Sequence, residues 1–253
     1  MKSPKAKLAE ILKPVTFTAL FAAAAGAQAI DAEKILAASD RARGGGLPGI
    51  EWMIVMQTVE PDFEEIRKMQ VRALDNTSLA TTVWPPRMSG SKLLQVGRNM
   101  WYAKPDLRKP ISISSRQKLS GPAANGDIAS TNYVLDYDPT LVGEETVNGE
   151  PAHVLDLVAK NKWVTYDRIR YWVSKQRKVA LKAEFYTVSG KLFKTATFEN
   201  DNEIVYQGER IPFVSKMIIR DEVKDGHYSV LEYSAVEAKA LSPSQFHVSS
   251  LVN

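Results

Sequence analysis

The chain has no cysteine and only three histidines among its 253 residues. Without thiols there is no disulfide framework, no thiolate-held metal and no cysteine nucleophile. His153, His227 and His247 do not stand at metal-ligand spacing, so no metal or other cofactor is expected. A glycine-rich phosphate loop and a βαβ rhythm are both missing, which argues against a doubly wound nucleotide fold. There is no G-x-S-x-G elbow to raise a serine nucleophile, and His153 lies among apolar strand neighbours, where a structural role is expected. The adjacent pairs Glu144-Glu145 and Asp221-Glu222 would point to opposite faces of a strand, a poor geometry for shared acid–base work. A non-enzyme is therefore expected. No internal repeat or low-complexity linker is visible, and 44% hydrophobic with 25% charged residues is a globular composition rather than a disordered one.

Positive charge is concentrated at the start. Residues 1–29 carry Lys2, Lys5, Lys7 and Lys13 against Glu10, then an apolar run from Val15 to Ala25, then Ala27-Gln28-Ala29. A basic start, an apolar middle and a small-x-small end make a secretory signal, with cleavage expected after Ala29. The run is broken by Gly26 and Gln28 and falls short of the ~20 apolar residues of a spanning helix. The leader holds three of the four net positive charges, so the mature chain, 30–253, is left near neutrality at +1. A nucleic-acid binder would keep its charge, so a soluble periplasmic protein with no nucleic-acid partner is expected.

The mature chain reads as one β-rich domain after a single capped helix. Asp31 is a helix N-cap, Glu33 sits in the first turn, Arg41 comes late, and Gly44 to Gly46 end the helix. Beyond Gly49, β-branched and aromatic runs alternate with turn chemistry. Strands are expected at 50–59, 65–74, 79–84, 92–103, 110–114, 141–147, 152–159, 168–173, 181–188, 192–199, 210–221 and 228–239. Asn148-Gly149, Ser189-Gly190 and Asp225-Gly226 supply the positive φ that tight hairpins require. Several strands have an apolar face without a clean polar one, as where Ile211, Phe213, Met217 and Ile219 alternate with Pro212, Val214, Lys216 and Ile218. Both faces then need cover: a second sheet, a helix, or a ligand on the concave side of a curved sheet.

Three stretches carry a resemblance: Lys92–Tyr102 with Pro105–Ile113 and Arg116–Gly121; Asn125–Ala129 with Asp136-Tyr137, Gly143–Glu145, Asn148–Glu150 and Val154–Leu157; and Tyr166–Val173 with Lys182–Tyr186 and Ser189–Thr195. Taken in order they cover most of the mature chain, and they resemble the outer-membrane lipoprotein-sorting, or LolA-like, protein family. The resemblance implies a single-domain incomplete antiparallel β-barrel with covering helices over an apolar cavity. It implies a carrier of lipid, lipoprotein acyl chains or another apolar ligand, and partners such as an inner-membrane permease or RND-type exporter. The arginine with which such carriers close the cavity has five candidates: Arg41, Arg43, Arg67, Arg72 and Arg87.

Carriage needs only apolar area and an exit. Alternating faces give as candidate ligand-binding residues Trp52, Ile54, Met56, Met69, Val71, Leu94, Val96, Met100, Tyr102, Tyr171, Val173, Phe213, Met217, Leu231 and Tyr233. Methionine suits a cavity that accepts variable chains, but a one-residue slip would invert the whole set. The basic stretch Arg108-Lys109 and Arg116-Gln117-Lys118 reads either as a solvated loop or as contact with lipid headgroups or an acidic partner. The alternative class is a non-catalytic envelope interaction module, or exporter accessory subunit, with a filled interior.

Overall fold

The structure, a computed structural model, describes residues 31–129 and 132–251. The expected leader, 1–29, and its expected cleavage site lie outside them.

Helix α1 spans Ala32–Arg41, and Asp31 caps it by accepting the N–H groups of Glu33 (3.0 Å) and Lys34 (3.3 Å). The expected capped helix is thus found. Two short helices missed in the sequence, α2 (Asn125–Ala129) and α3 (Tyr133–Asp136), follow later. Thirteen strands form one antiparallel sheet. In chain order they are β1 (Ile50–Glu60), β2 (Phe63–Leu74), β3 (Thr77–Trp84), β4 (Lys92–Val96), β5 (Asn99–Ala103), β6 (Ile111–Ile113), β9 (Tyr137–Val147), β10 (Glu150–Ala159), β11 (Arg168–Ser174), β12 (Ala180–Tyr186), β13 (Leu192–Glu199), β16 (Lys216–Asp221) and β17 (Tyr228–Ala238). The remaining four make two ribbons, β7 (Lys118–Ser120) with β8 (Ala123–Ala124), and β14 (Asn202–Tyr206) with β15 (Glu209–Phe213).

The large sheet runs β6-β5-β4-β3-β2-β1-β17-β16-β13-β12-β11-β10-β9, with β6 and β9 left as edges. This is the incomplete antiparallel barrel, not closed on itself. Two expected strands are each split. The stretch 92–103 turns at Gly97 (φ 55°) into the β4–β5 hairpin, and 210–221 breaks at Val214-Ser215 between β15 in the small ribbon and β16 in the large sheet. Asn148 (φ 51°) and Gly149 (φ 83°) both take the left-handed backbone of a two-residue turn between β9 and β10, as their sequence requires.

Alternation assigns the faces. In β1 and β17, Ile54 pairs with Tyr233 and Met56 with Leu231; in β2, Met69 and Val71 oppose Ile54 and Trp52. All of these join one inner core together with Ile35 and Leu36 of α1 and Tyr133 of α3. Each such aliphatic side chain, once fully buried, contributes about 1.5–3 kcal/mol. The outer face is covered too. Two 3-10 turns, Pro243–Phe246 and Val248–Leu251, lay Phe246 and Leu251 on Leu79, Leu94 and Ala103, and the Lys92 Nζ donates to the Ser250 carbonyl at 3.3 Å. Farther along the sheet, Trp172 packs with Val154, Val179 and Leu181 and donates its indole N–H to Glu145 at 2.9 Å. Strands apolar on both faces are therefore explained by cover on both faces.

Candidate functional site

The inner face divides into a filled part and an open part. Over β9–β13 it is filled. There α1 and α3 meet through the Val134 N–H, which donates to Asp40 Oδ2 at 2.8 Å, and the Arg43 guanidinium lies 4.3 Å from the Tyr133 ring centre. Burial, partly offset by that N–H and by Arg43, raises the Asp40 carboxyl to about 7. Tyr166 donates to Asp127 of α2 at 2.8 Å and accepts nothing from it, while its own N–H donates to the Tyr137 hydroxyl at 3.1 Å. Burial raises the pKa of Tyr133, Tyr137, Tyr166 and Tyr171, so these phenols stay neutral and serve as donors and packing surface.

Over β2–β6 the face is open. A cavity of about 430 Å³ lies here, within the range of ligand pockets, roughly 300–1,000 Å³. Met69 of β2, Ala80 of β3, Leu93 of β4, Tyr102 of β5 and Ile113 of β6 line it, with Leu119 of β7 across from them. Arg67, Thr82, Lys92, Gln117, Lys118 and Asn125 supply its polar lining. The cations beside it are tethered. The buried Glu65 accepts from Arg67 at 2.6 Å, from Arg87 at 2.8 Å and from the Ser120 hydroxyl at 3.1 Å, and Glu60 holds Lys118 at 2.8 Å. An apolar chain entering this space gains ~0.8 kcal/mol per methylene removed from water, and nothing in the lining demands a hydrogen bond from it. A larger cavity of about 620 Å³ is lined by Asn76, Gln95, Arg98, Asn99, Asn132 and Asp136 together with Val96, Ala129 and Leu135, so the expected residue Val96 borders it. Its lining mixes charged and amide groups with apolar ones, whereas the smaller cavity is mainly apolar, so the smaller one is the candidate for acyl carriage.

The residues expected to line a cavity separate into three groups. Trp52, Ile54, Met56, Val71, Met100, Tyr171, Val173, Phe213, Met217 and Leu231 are buried in the inner core, and Tyr233 packs against it. Met69 and Tyr102 border the apolar cavity itself. Leu94 and Val96 lie on the outer face with Phe246 and Leu251. The reason is the β4–β5 turn, which pairs Val96 with Asn99, Leu93 with Tyr102 and Leu94 with Trp101. Read as a continuous strand, 94, 96, 100 and 102 share a face; a two-residue hairpin reverses that parity between 96 and 99. Choosing Tyr102 therefore entails Leu93, the residue sequence reasoning missed. Ala80 and Leu119 gave no signal because neither stands out in a β pattern.

Among the candidate arginines, Arg43 is buried against Tyr133 and Arg67 lines the cavity. Arg41, Arg72 and Arg87 pair with Glu209, Glu51 and Glu65. Within the basic stretch, Arg116 pairs with Asp167 at 2.8 Å, while Gln117 and Lys118 reach the cavity. Burial lowers the His153 pKa, so the ring is neutral near pH 7, with Nδ1 3.7 Å from Glu144. Among the described residues no three His, Asp or Glu side chains come together as a metal site, and no helix is long and apolar enough to cross a membrane.

A family model described as that of an uncharacterized protein matches residues 75–253. No curated protein matches the chain. A crystal structure of a LolA superfamily protein from Nitrosomonas europaea is 34% identical, with a TM-score of 0.77, over 87% of this chain and 98% of that one. An outer membrane lipoprotein-sorting protein domain from Vibrio parahaemolyticus shares the fold at 23% identity and a TM-score of 0.74, covering 87% of this chain and 99% of its own. So does a DUF1329 family protein from Desulfovibrio piger, at 23% identity and 0.73, with 87% and 97% covered. An open thirteen-stranded sheet with helices on its inner face, and one-third identity along nearly the whole of the Nitrosomonas protein, establish that the chain belongs to the LolA superfamily.

Proposed function

We propose that this protein is a periplasmic, non-catalytic carrier, exported with residues 1–29 removed, whose domain 30–253 takes up a lipid or lipoprotein acyl chain and passes it between membrane partners. The observation that carries this reading is the apolar cavity of about 430 Å³ between β2–β6 and β7, on the inner face of a sheet shared with lipoprotein-sorting relatives. Its ligand-binding residues are Met69, Ala80, Leu93, Tyr102, Ile113 and Leu119. Ile54, Met56, Val71 and Met217 are buried in the inner core rather than at the cavity surface. A chain of about fourteen carbons brings on the order of 10 kcal/mol of burial before the entropy of association is subtracted. That is enough for retention without catalysis or metal. Donor and acceptor would be membrane proteins such as an inner-membrane permease or RND-type exporter.

A second reading, an envelope interaction module with a closed interior, draws on the filled half of the inner face, where Tyr133, Tyr137, Tyr171 and Phe185 leave no room for a ligand. Uptake of a fluorescent fatty-acyl probe separates the two. The carrier takes up the probe, and Leu93→Asp, which puts a carboxylate into the apolar wall at a cost of several kcal/mol, loses it while circular dichroism stays unchanged. No uptake by the wild-type protein would leave the interaction module.

A further inference from the structure

Antiparallel pairing sends every strand of the large sheet to one of two ends. The β1–β2 turn, the β3–β4 connection, the β5–β6 loop, the β10–β11 loop, the β12–β13 turn and the β16–β17 turn all fall at the same end. Each carries an exposed large apolar residue: Phe63, Trp84, Ile111, Trp163, Val188 and Val223, 47–86% exposed. Ile66 and Val83, also exposed, lie within three residues of these tips. A chance scatter of surface apolar residues would not sort by strand direction.

The segment 114–121 ties the β10–β11 loop to the β1–β2 tip. Ser115 donates to the Trp163 carbonyl at 2.9 Å, Arg116 pairs with Asp167, Lys118 pairs with Glu60, and Ser120 donates to Glu65. The same segment and Met88, from the β3–β4 connection, line the apolar cavity. The rim and the cavity thus share a side of the molecule.

We infer that this end of the barrel is a membrane-docking rim, which seats its apolar tips in the interfacial layer of an anionic bilayer. Charge chooses the occupant. Five of the six tips place a cation within three residues of the apolar side chain: Arg87 by Trp84, Lys109 by Ile111, Lys162 by Trp163, Lys191 by Val188 and Lys224 by Val223. The Lys162 Nζ lies 4.9 Å from the Trp163 ring centre. Two tips are acidic on balance, the β1–β2 tip with Asp62 and Glu64 flanking Phe63 and the β16–β17 tip with Asp221, Glu222 and Asp225 around Val223, so the basic contacts come from the other four. Tryptophan or an aliphatic side chain next to a snorkelling lysine suits the boundary between headgroups and acyl chains. Separated tips do not form the contiguous patch a protein partner requires, whereas a fluid surface accepts them one by one. The surface stands whatever the cavity holds, and docking here would set the cavity beside the bilayer.

The test is flotation of the exported protein with vesicles of phosphatidylethanolamine and phosphatidylglycerol, and with vesicles of phosphatidylcholine alone. The wild-type protein should float with the anionic vesicles and weakly or not at all with the others. Trp84→Ser combined with Trp163→Ser and Val188→Ser should lower the partition coefficient at least about tenfold. A charge variant, Lys162→Glu with Lys191→Glu and Lys224→Glu, should lose the preference for anionic lipid, while Val205→Asp, in the small ribbon, should bind as the wild type does. Acyl-probe uptake in vesicle-free solution should be unchanged in all of these, which separates failure of the rim from failure of the carrier. No flotation of the wild type, undiminished flotation of the serine variant, or flotation only with vesicles that contain inner-membrane proteins would overturn the bilayer assignment; the last would assign the rim to a protein partner.

Discussion

Asp40 offers a prediction whose size follows from its surroundings. Asp40 is 1% exposed, with the Val134 N–H on Oδ2, Arg43 in the turn after α1, Tyr133 and Asp136 on α3 and Tyr171 on β11 around it. Burial raises the folded pKa from the ordinary 3.8 to about 7. With a raised pKa, the folded state holds the proton that the unfolded chain has already lost. The contribution of this group to stability is therefore greatest below pH 4 and declines as pH rises to about 7, by roughly 4 kcal/mol in all. Asp40→Asn keeps an acceptor for Val134 and cannot ionise. Its constant effects, such as altered packing of the amide, add an offset that does not vary with pH, whereas the attraction of ionised Asp40 to Arg43 is already contained in the pKa of about 7. The difference in unfolding free energy between variant and wild type should accordingly move toward the variant by several kcal/mol between pH 4 and pH 8, measured by urea denaturation at each pH. A difference that stays flat to within about 1 kcal/mol would refute the raised pKa and the desolvated α1–α3 contact behind it.

Two further predictions concern packing. Leu94→Ala, on the fully buried outer face, should cost about 2–5 kcal/mol of stability and leave acyl-probe affinity unchanged, whereas Leu93→Ala should weaken the probe several-fold with a smaller loss of stability, read by thermal melts and titration. A Cβ at Gly126 would sit 1.9 Å from the Thr165 hydroxyl oxygen, so Gly126→Ala should lower the melting temperature and Thr165→Ala should recover part of the loss when combined with it.

What the sequence made legible was what local chemistry decides. The Asp31 cap, the left-handed Asn148-Gly149 turn and most strand positions each rest on a few adjacent residues and agree with the structure. The site was harder because it depends on parity. Gly97 and Arg98 form a turn inside what reads as one strand, so Leu94 and Val96 go outward while Leu93 and Tyr102 go inward. Composition could not correct this, since Leu93 and Leu94 are the same residue and the outer face is also apolar, covered by Phe246 and Leu251 from the far end of the chain. Helices α2 and α3, of five and four residues, carry no periodic pattern, so the partition into a filled and an open half could not be read. The filled half depends on partners far apart in sequence, as where Asp127 receives the Tyr166 hydroxyl and Asp40 the Val134 N–H.

The most direct measurement is mass spectrometry of organic extracts from protein purified out of its native envelope, comparing the wild type with Leu93→Asp. The account predicts a defined acyl-bearing molecule in stoichiometric amount with the wild type and little with the variant, both folded by circular dichroism. A wild-type protein that extracts clean, or equal lipid on both, would contradict the claim that this cavity carries an acyl chain.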